Sequence, residues 1–282
     1  MSPRRTASLV GLCARQELLL AVRSRWTQIF AVVFAALTLA VAASGYVLSG
    51  GRGVQDFART AAALVQVVLL LVPLTALLIG VQAFAADRGA VELLFSQPVP
   101  RGTILAGKLV GLFEALAGAQ AIGFGVAGVV IFTRAGELGL GRYALLVVGS
   151  LALTAIFLGL AALVSAGSVG RRRTRALAIG LVVWFVAVVL FDVAALGLAS
   201  LLRSGTASRL LTTAVLVNPV DAVRTGVLLG VEGTAAFGAA SLAFLRFTGG
   251  PVGAALLLSL STILWIVLPP IVAARRLART DI

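Results

Sequence analysis

Ala61-Ala-Ala-Leu-Val-Gln-Val-Val-Leu-Leu-Leu-Val-Pro-Leu-Thr-Ala-Leu-Leu-Ile-Gly-Val-Gln-Ala-Phe84 contains no ionisable side chain. A helix of this length crosses a hydrocarbon core of ~30 Å, which takes ~20 apolar residues at ~1.5 Å each. Five more such runs lie around it: Ile29–Leu48, Leu109–Phe132, Tyr143–Val169, Ala176–Leu202 and Val252–Ala274. The third run in chain order carries Glu114 and the fifth carries Asp192, while the other four carry no charge. Hydrophobic residues make up 60% of the 282 positions and charged ones only 12%, too little polar surface to keep a domain of this size in water. The pattern predicts an all-α integral membrane protein, a six-span helical bundle forming one domain over residues 1–282.

The formal net charge of +13 raises the question of nucleic acid. A nucleic-acid binder gathers its basic residues on one solvated face. Here they sit in short loops between apolar runs, where they set orientation and meet anionic lipid headgroups. Nucleic acid is therefore excluded as a partner, and membrane lipid is expected. Five basic residues precede the first run (Arg4, Arg5, Arg15, Arg23, Arg25). Arg88, Arg101 and Lys108 follow the second, Arg171, Arg172, Arg173 and Arg175 follow the fourth, and Arg275, Arg276 and Arg279 follow the sixth. The alternate loops hold only eight, so the positive-inside rule places both termini in the cytoplasm.

The single cysteine, Cys13, and the lack of histidine rule out an internal disulfide and a His/Cys metal centre, so the expectation is no metal site in this chain. Copper(I) prefers thiolate, thioether and then imidazole ligands. A chain with Met1 as its only methionine and Cys13 near the cytoplasmic interface is not expected to be a copper conduit. Leu9 to Cys13 imitates a lipoprotein cleavage box, but bulky Leu12 precedes the cysteine and no cleaved signal is expected.

Residues 3–25 mix leucines with Arg15, Gln16, Glu17, Arg23 and Arg25, which suits a helix lying in the interface, with Trp26 at the boundary. Residues 203–250 are long and apolar for an external segment. A seventh span there would carry the C-terminal arginines outward, so short external helices between spans five and six are expected. Gly111, Gly118, Gly123, Gly125 and Gly128 are expected to let helices pack closely. Pro73 and Pro269–Pro270 each leave a carbonyl unpaired and permit a kink. Gly102 to Lys108 nearly spells a phosphate loop, but Leu109 stands where magnesium needs Ser or Thr, and no strand precedes it. This chain is thus not expected to hydrolyse ATP. Glu114, two turns into its run, is expected to be wetted by the headgroups. Asp192 lies near the middle of its run, where an acid forms an interhelical bond or serves a pathway, the alternative being a position near the interface.

The local signal richest in polar residues is Asp87-Arg-Gly-Ala-Val-Glu-Leu-Leu-Phe-Ser-Gln-Pro-Val-Pro-Arg101. Val91, Leu94 and Phe95 line one side of a short helix whose Asp87, Arg88 and Glu92 are solvated, and Pro98 and Pro100 stop it. A short charged helix at a cytoplasmic turn suits the docking of a partner.

That stretch, with its Gly89, Glu92-Leu-Leu, Gln97-Pro98, Arg101 and Gly107-Lys108, resembles the coupling region of type-2 ABC exporter permeases. Ala14-Arg-Gln-Glu-Leu18 followed by Arg23-Ser-Arg-Trp26 resembles that family's interfacial elbow helix, so the likeness covers the whole chain. Within the family it is similar to the NosY-type branch, the permeases of transporters that mature nitrous-oxide reductase. The stretches that carry this are Pro73-Leu-Thr-Ala-Leu-Leu78, Gln97-Pro-Val-Pro-Arg101, Ile122-Gly-Phe-Gly125, Trp184-Phe185 with Leu190-Phe-Asp192, and Asn218-Pro-Val-Asp221 with Arg224. The basic run Arg171-Arg-Arg-Thr-Arg175 departs from the pattern of that branch.

The resemblance implies a bacterial cytoplasmic-membrane subunit that works with a second copy of itself and cytoplasmic ABC ATPases, the ATP and magnesium residing on the ATPase. The NosY-type likeness adds a periplasmic repeat protein and a cargo of sulfur or copper for the reductase's metal centre. It maps Asp87, Arg88, Glu92, Gln97 and Arg101 to ATPase coupling, and Asn218, Asp221 and Arg224 to the periplasmic partner. Three functions compete: a NosY-type transport subunit, a type-2 exporter of lipid, drug or polysaccharide, and a proton-coupled carrier using Asp192.

Overall fold

The structure, a computed structural model, describes residues 3–47, 54–85, 99–166, 173–235 and 238–279. Among these, every regular element is helical. Hydrocarbon offers backbone groups no partner, and a helix satisfies them within itself. Helix α1 is Pro3–Arg23, α2 Arg25–Val47, α3 Val54–Phe84, α4 Arg101–Ala166 and α5 Arg173–Phe185. A π-turn, Val186–Leu190, leads into α6, Phe191–Ser200; α7 (Ser204–Val217), α8 (Pro219–Glu232), α9 (Ala239–Phe247) and α10 (Pro251–Arg279) follow.

Six stretches are long and apolar enough to cross a membrane: Arg25–Ser44, Thr60–Phe84, Arg101–Thr133, Gly141–Ala166, Arg173–Ser200 and Pro251–Arg279. Each matches one expected span. The third starts eight positions before Leu109, because the carbonyl of Pro100 already accepts from the Thr103 and Ile104 amides. Spans three and four are both limbs of α4, whose helical backbone continues through the reversal between them. The doubling back is unambiguous, since Gln120 Nε2 donates to Thr154 Oγ1 at 2.7 Å. In a straight helix those residues would stand ~50 Å apart.

Spans two and four form the centre of the bundle, with Leu64, Val72 and Leu77 packed in one core with Leu153, Ile156 and Phe157. Phe34, Phe124 and Tyr143 extend it edge to face, with centroids 5.1 and 5.9 Å apart. Burial falls from 61% of span two to 11% of span five, the least covered of the six. Glycine packing holds at Gly111 under α1, at Gly123 under Phe34 and at Gly128 under Tyr143. It does not hold at Gly118 and Gly125, which face outward with nothing within 4 Å of where a Cβ would stand. The helices run on through Pro73 and through Pro269–Pro270, the latter pair packed against Gly159.

Between spans five and six, α7 and α8 meet at an angle of 101°. They lie against the bundle as short helices. Val223 and Val227 of α8 close over Gly149, and Leu145 closes over Gly230. Ser261 Oγ and Trp265 Nε1 of α10 donate to the carbonyls of Leu216 and Val217 at 2.6 and 3.0 Å. These carbonyls lie in the last turn of α7, where no intrahelical amide remains for them. Gly249 and Gly250, with φ of 79° and 106°, reverse the chain between α9 and α10.

Candidate functional site

Two polar groupings interrupt the apolar bundle. The first gathers at the end where α3 and α10 finish and α4 begins. Lys108 Nζ lies 3.5 Å from the Glu17 carboxylate and donates to the Ala83 carbonyl at 2.9 Å. Arg101 Nη1 donates to the Leu277 carbonyl at 2.7 Å, and Arg173 Nη2 donates to Gln82 Oε1 at 3.2 Å. Ala83 and Leu277 lie in the final turns of α3 and α10, where free carbonyls and the helix dipole both favour a cation. Lys108, which the sequence offers as a phosphate-loop lysine, therefore joins three helices. Glu17 is buried rather than solvated, because Ala14, Glu17 and Ala21 form the face of α1 that packs on the bundle. Gly107 and Gly111 make this crossing possible: a Cβ on Gly107 would meet Cys13, and one on Gly111 would meet the Ala14 carbonyl. Cys13 is half-buried there.

Of the expected coupling residues, Asp87, Arg88, Glu92 and Gln97 lie outside the described residues. Arg101 is described, and its contact with Leu277 ties it to the end of span six. Glu114 is exposed on α4, one turn beyond the α1 crossing at Gly111.

The second grouping is a clasp between span five and α8. Asn218 caps α8 by accepting from the Val220 amide at 3.1 Å, with Pro219 fixing the first turn. Its Nδ2 donates to Asp221 Oδ2 and to the Ala187 carbonyl, both at 2.9 Å. Ala187 belongs to the π-turn, where the widened helix loosens the regular ladder and offers a carbonyl sideways. Arg224 then reaches across to Asp192 Oδ2 at 2.9 Å and lies 3.0 Å from Asp221 Oδ1. The Asp221 contact is an ion pair without hydrogen-bond alignment, and among the described residues Asp221 Oδ1 and Arg224 Nε have no hydrogen-bond partner.

Four residues that the sequence divides between two roles are thus one unit. Asn218 and Asp221, expected to face a partner, point inward at 3% exposure each, because α8 packs on the bundle. Arg224 and Asp192 reach the surface, their side chains 27% and 30% exposed. A charge at mid-bilayer costs about 2.5–3.5 kcal/mol on insertion scales, and this pairing offsets that cost for Asp192.

A third polar set escapes a search for charges. Ser150 Oγ donates to Gln120 Oε1 at 2.6 Å, which completes the Gln120–Thr154 link within the α4 hairpin. All three residues are fully buried and satisfied from within, so they hold spans three and four together. Among the described residues no three His, Cys, Asp or Glu side chains come together as a metal site would require.

Comparison with known proteins bears on what this arrangement serves. The probable ABC transporter permease protein NosY of Pseudomonas aeruginosa is 34% identical over 241 residues, covering 83% of this chain and 87% of that protein. The probable NosY permease of Stutzerimonas stutzeri is 36% identical over 240 residues, covering 81% and 85%. The family model described as ABC-2 family transporter protein matches residues 12–282, from the face of α1 that packs under Gly107 to the C-terminus. By that match, which spans both polar groupings and all six membrane helices, the chain belongs to the ABC-2 family of transporter proteins.

Proposed function

We propose that this chain is the membrane permease of a NosY-type ABC transporter, working as a homodimer with a separate ATPase that serves nitrous-oxide reductase maturation. The observation that carries the reading is the likeness to two NosY permeases over four-fifths of the chain. The polar end of the bundle supports it. Arg101, the described end of the expected coupling segment, is tied to Leu277, and Lys108 joins Ala83 and Glu17, so a push delivered at this end of the bundle acts on α1, α3, α4 and α10 at once. Closure of the ATPase dimer would rock the half-bundles as packed bodies. Span five, fixed to α8 by the clasp, would carry the motion to the outer segment and its periplasmic partner. The proton-carrier reading loses support, because Asp192 is held by Arg224 and is not a lone acid. With one half-buried cysteine and no histidine, the chain is better suited to transmitting motion or passing a non-metal cargo than to conducting copper(I).

The coupling role is tested at Glu92. Glu92→Lys should reduce co-purification of the ATPase and uncouple ATP hydrolysis from reductase maturation, with the permease still folded, since a charge solvated as the sequence leads one to expect contributes only about 0–1 kcal/mol. Arg101→Glu is a poorer probe, because it also frees the Leu277 carbonyl. Normal ATPase retention and normal maturation in Glu92→Lys would remove the assignment.

The proposed orientation rests on the basic loops. Reporter fusions at Gly50 and Gly139 should read periplasmic, and a fusion after Ile282 cytoplasmic. A periplasmic C-terminal reporter would overturn it.

A further inference from the structure

Span six carries a stripe that the α7–α8 hairpin leaves uncovered. The carbonyls of Leu216 and Val217 accept from Ser261 and Trp265, and the chain then turns through 101° into α8. A groove of about 540 Å³ opens there between Val217, Leu163 of span four and the α10 stripe from Leu257 to Val272. On that stripe Leu264 and Leu268 are 45% and 52% exposed. Ser261 and Trp265 already donate to α7, so the groove offers a visitor no free polar group and suits one that is apolar along its length. From Leu257 to Val272 the stripe rises ~22 Å along the helix, more than the ~15 Å of hydrocarbon in one leaflet. The same face then continues into charge. At about 100° per residue, Arg275 and Arg279 stand within about 25° of the stripe's centre line, whereas Arg276 is turned aside by about 80°. Arg275 and Arg279 are exposed, and among the described residues neither forms an ion pair, while Arg276 is engaged elsewhere. Arg101 covers the Leu277 carbonyl, which partly neutralises the negative end of α10 where the two arginines stand. A second copy of this chain does not suit the face. A two-fold axis along the membrane normal sets equal residues at equal depth, so the two arginine pairs would confront each other.

We propose that this face binds one anionic phospholipid from the leaflet at the C-terminal end of α10, the cytoplasmic leaflet in the orientation proposed above. One acyl chain lies in the groove from Val272 past Trp265, and the phosphate is held between Arg275 and Arg279. A guanidinium matches phosphate oxygens two at a time, and its stem lies along the apolar helix while the head stays at the water boundary. Basic pockets at the cytoplasmic ends of membrane helices bind anionic headgroups for the same reason. The seated chain joins the end of α7, span four and span six into one packed surface. The site goes beyond the permease reading and depends on neither the ATPase nor the cargo.

Trp265 reports on the groove from within, ~10 Å along the helix from Val272 and so within reach of a seated chain. In the full-length chain carrying Trp26→Phe and Trp184→Phe it is the one tryptophan left. This protein is reconstituted in phosphatidylcholine vesicles containing either phosphatidylglycerol or phosphatidylcholine brominated at mid-chain. Quenching of the Trp265 fluorescence then gives the relative affinity of the two lipids for the groove. Brominated phosphatidylglycerol should be preferred roughly tenfold, and Arg275→Gln with Arg279→Gln should bring the ratio near one while both lipids still quench. Arg15→Gln with Arg23→Gln removes the same charge from exposed positions of α1 and should keep the preference. Equal quenching by the two lipids before any arginine is changed overturns the proposal, as does a preference that survives the loss of Arg275 and Arg279. Loss of the preference in the α1 variant overturns it too, because a diffuse field rather than a site would then be selecting the lipid. Quenching by neither lipid means that protein covers the groove, and it also rejects the site.

Discussion

Arg224→Met is expected to cost about 3 kcal/mol of stability, near the lower end of what removing one partner of a buried ion pair costs. The substitution leaves Asp221 buried against α8 with no cation and frees Asp192 inside its span. Burial and the neighbouring Asp192 already push the Asp221 carboxyl up to about 7, so without the guanidinium it takes up a proton, and the penalty falls on the lost contacts and on the unpaired Asp192. Arg224→Lys should recover only part of the loss, since an ammonium cannot reach two carboxylates with the spread of a guanidinium. Adding Asp221→Asn and Asp192→Asn to Arg224→Met should recover most of it, because neutral amides are cheaper to bury. Thermal unfolding in a fixed detergent, followed by helicity, measures each step. Unchanged stability in Arg224→Met would mean that the clasp does not hold α8 to span five.

An effect of similar size is expected where α1 crosses α4. A Cβ on Gly111 would overlap the Ala14 carbonyl and come within 2.9 Å of both Glu17 Cβ and the Leu18 amide nitrogen. Backbone cannot yield as a side-chain tip can, so Gly111→Leu should displace α1 and with it the Glu17–Lys108 contact. Overpacking alone costs about 1–3 kcal/mol, and the lost contacts add to it. Gly118→Leu, two turns further along the same helix, meets nothing within 4 Å and should stay within about 0.5 kcal/mol of the parent in the isolated permease. Limited proteolysis of the N-terminal segment separates the two: α1 should become cleavable in Gly111→Leu and remain protected in Gly118→Leu. Equal protection in both would sink the crossing.

The contrast between those glycines shows what a single sequence can tell. Both sit in one apolar run, and nothing in the run says which faces inward. That is decided by α1, whose Ala14 carbonyl arrives at Gly111 and leaves Gly118 open. The spans themselves were legible, because absence of charge over the width of a membrane needs no partner to interpret. The π-turn was not legible, since Val-Ala-Val-Val-Leu is as suited to an α-helix. Its sideways carbonyl acquires meaning only when Asn218 reaches Ala187. Asp192 was recognisable as an intramembrane acid in need of a partner, and Arg224 as a polar residue of the next segment. Their pairing depends on a chain reversal that no local period encodes. Gln120 was passed over because it is uncharged, although an amide buried in hydrocarbon requires partners as firmly as a weak acid does.

The polar ties within the membrane share a further property, their spacing along the chain. Gln120 finds Ser150 and Thr154 only 30 and 34 residues later, and Asp192 and Ala187 find Arg224 and Asn218 32 and 31 residues later. Thr38, whose hydroxyl also reaches distant Gly123, is already satisfied by the Phe34 carbonyl one turn away. As the nascent chain leaves the ribosome at about 5–20 residues per second, each polar side chain delivered to the bilayer waits only seconds for its partner. Biogenesis can thus proceed as a series of locally closed hairpins, the α4 pair first and the α6–α8 unit second. The long-range contact of Arg101 with Leu277, 176 residues apart, forms last, from two ends that remain at the aqueous boundary throughout synthesis.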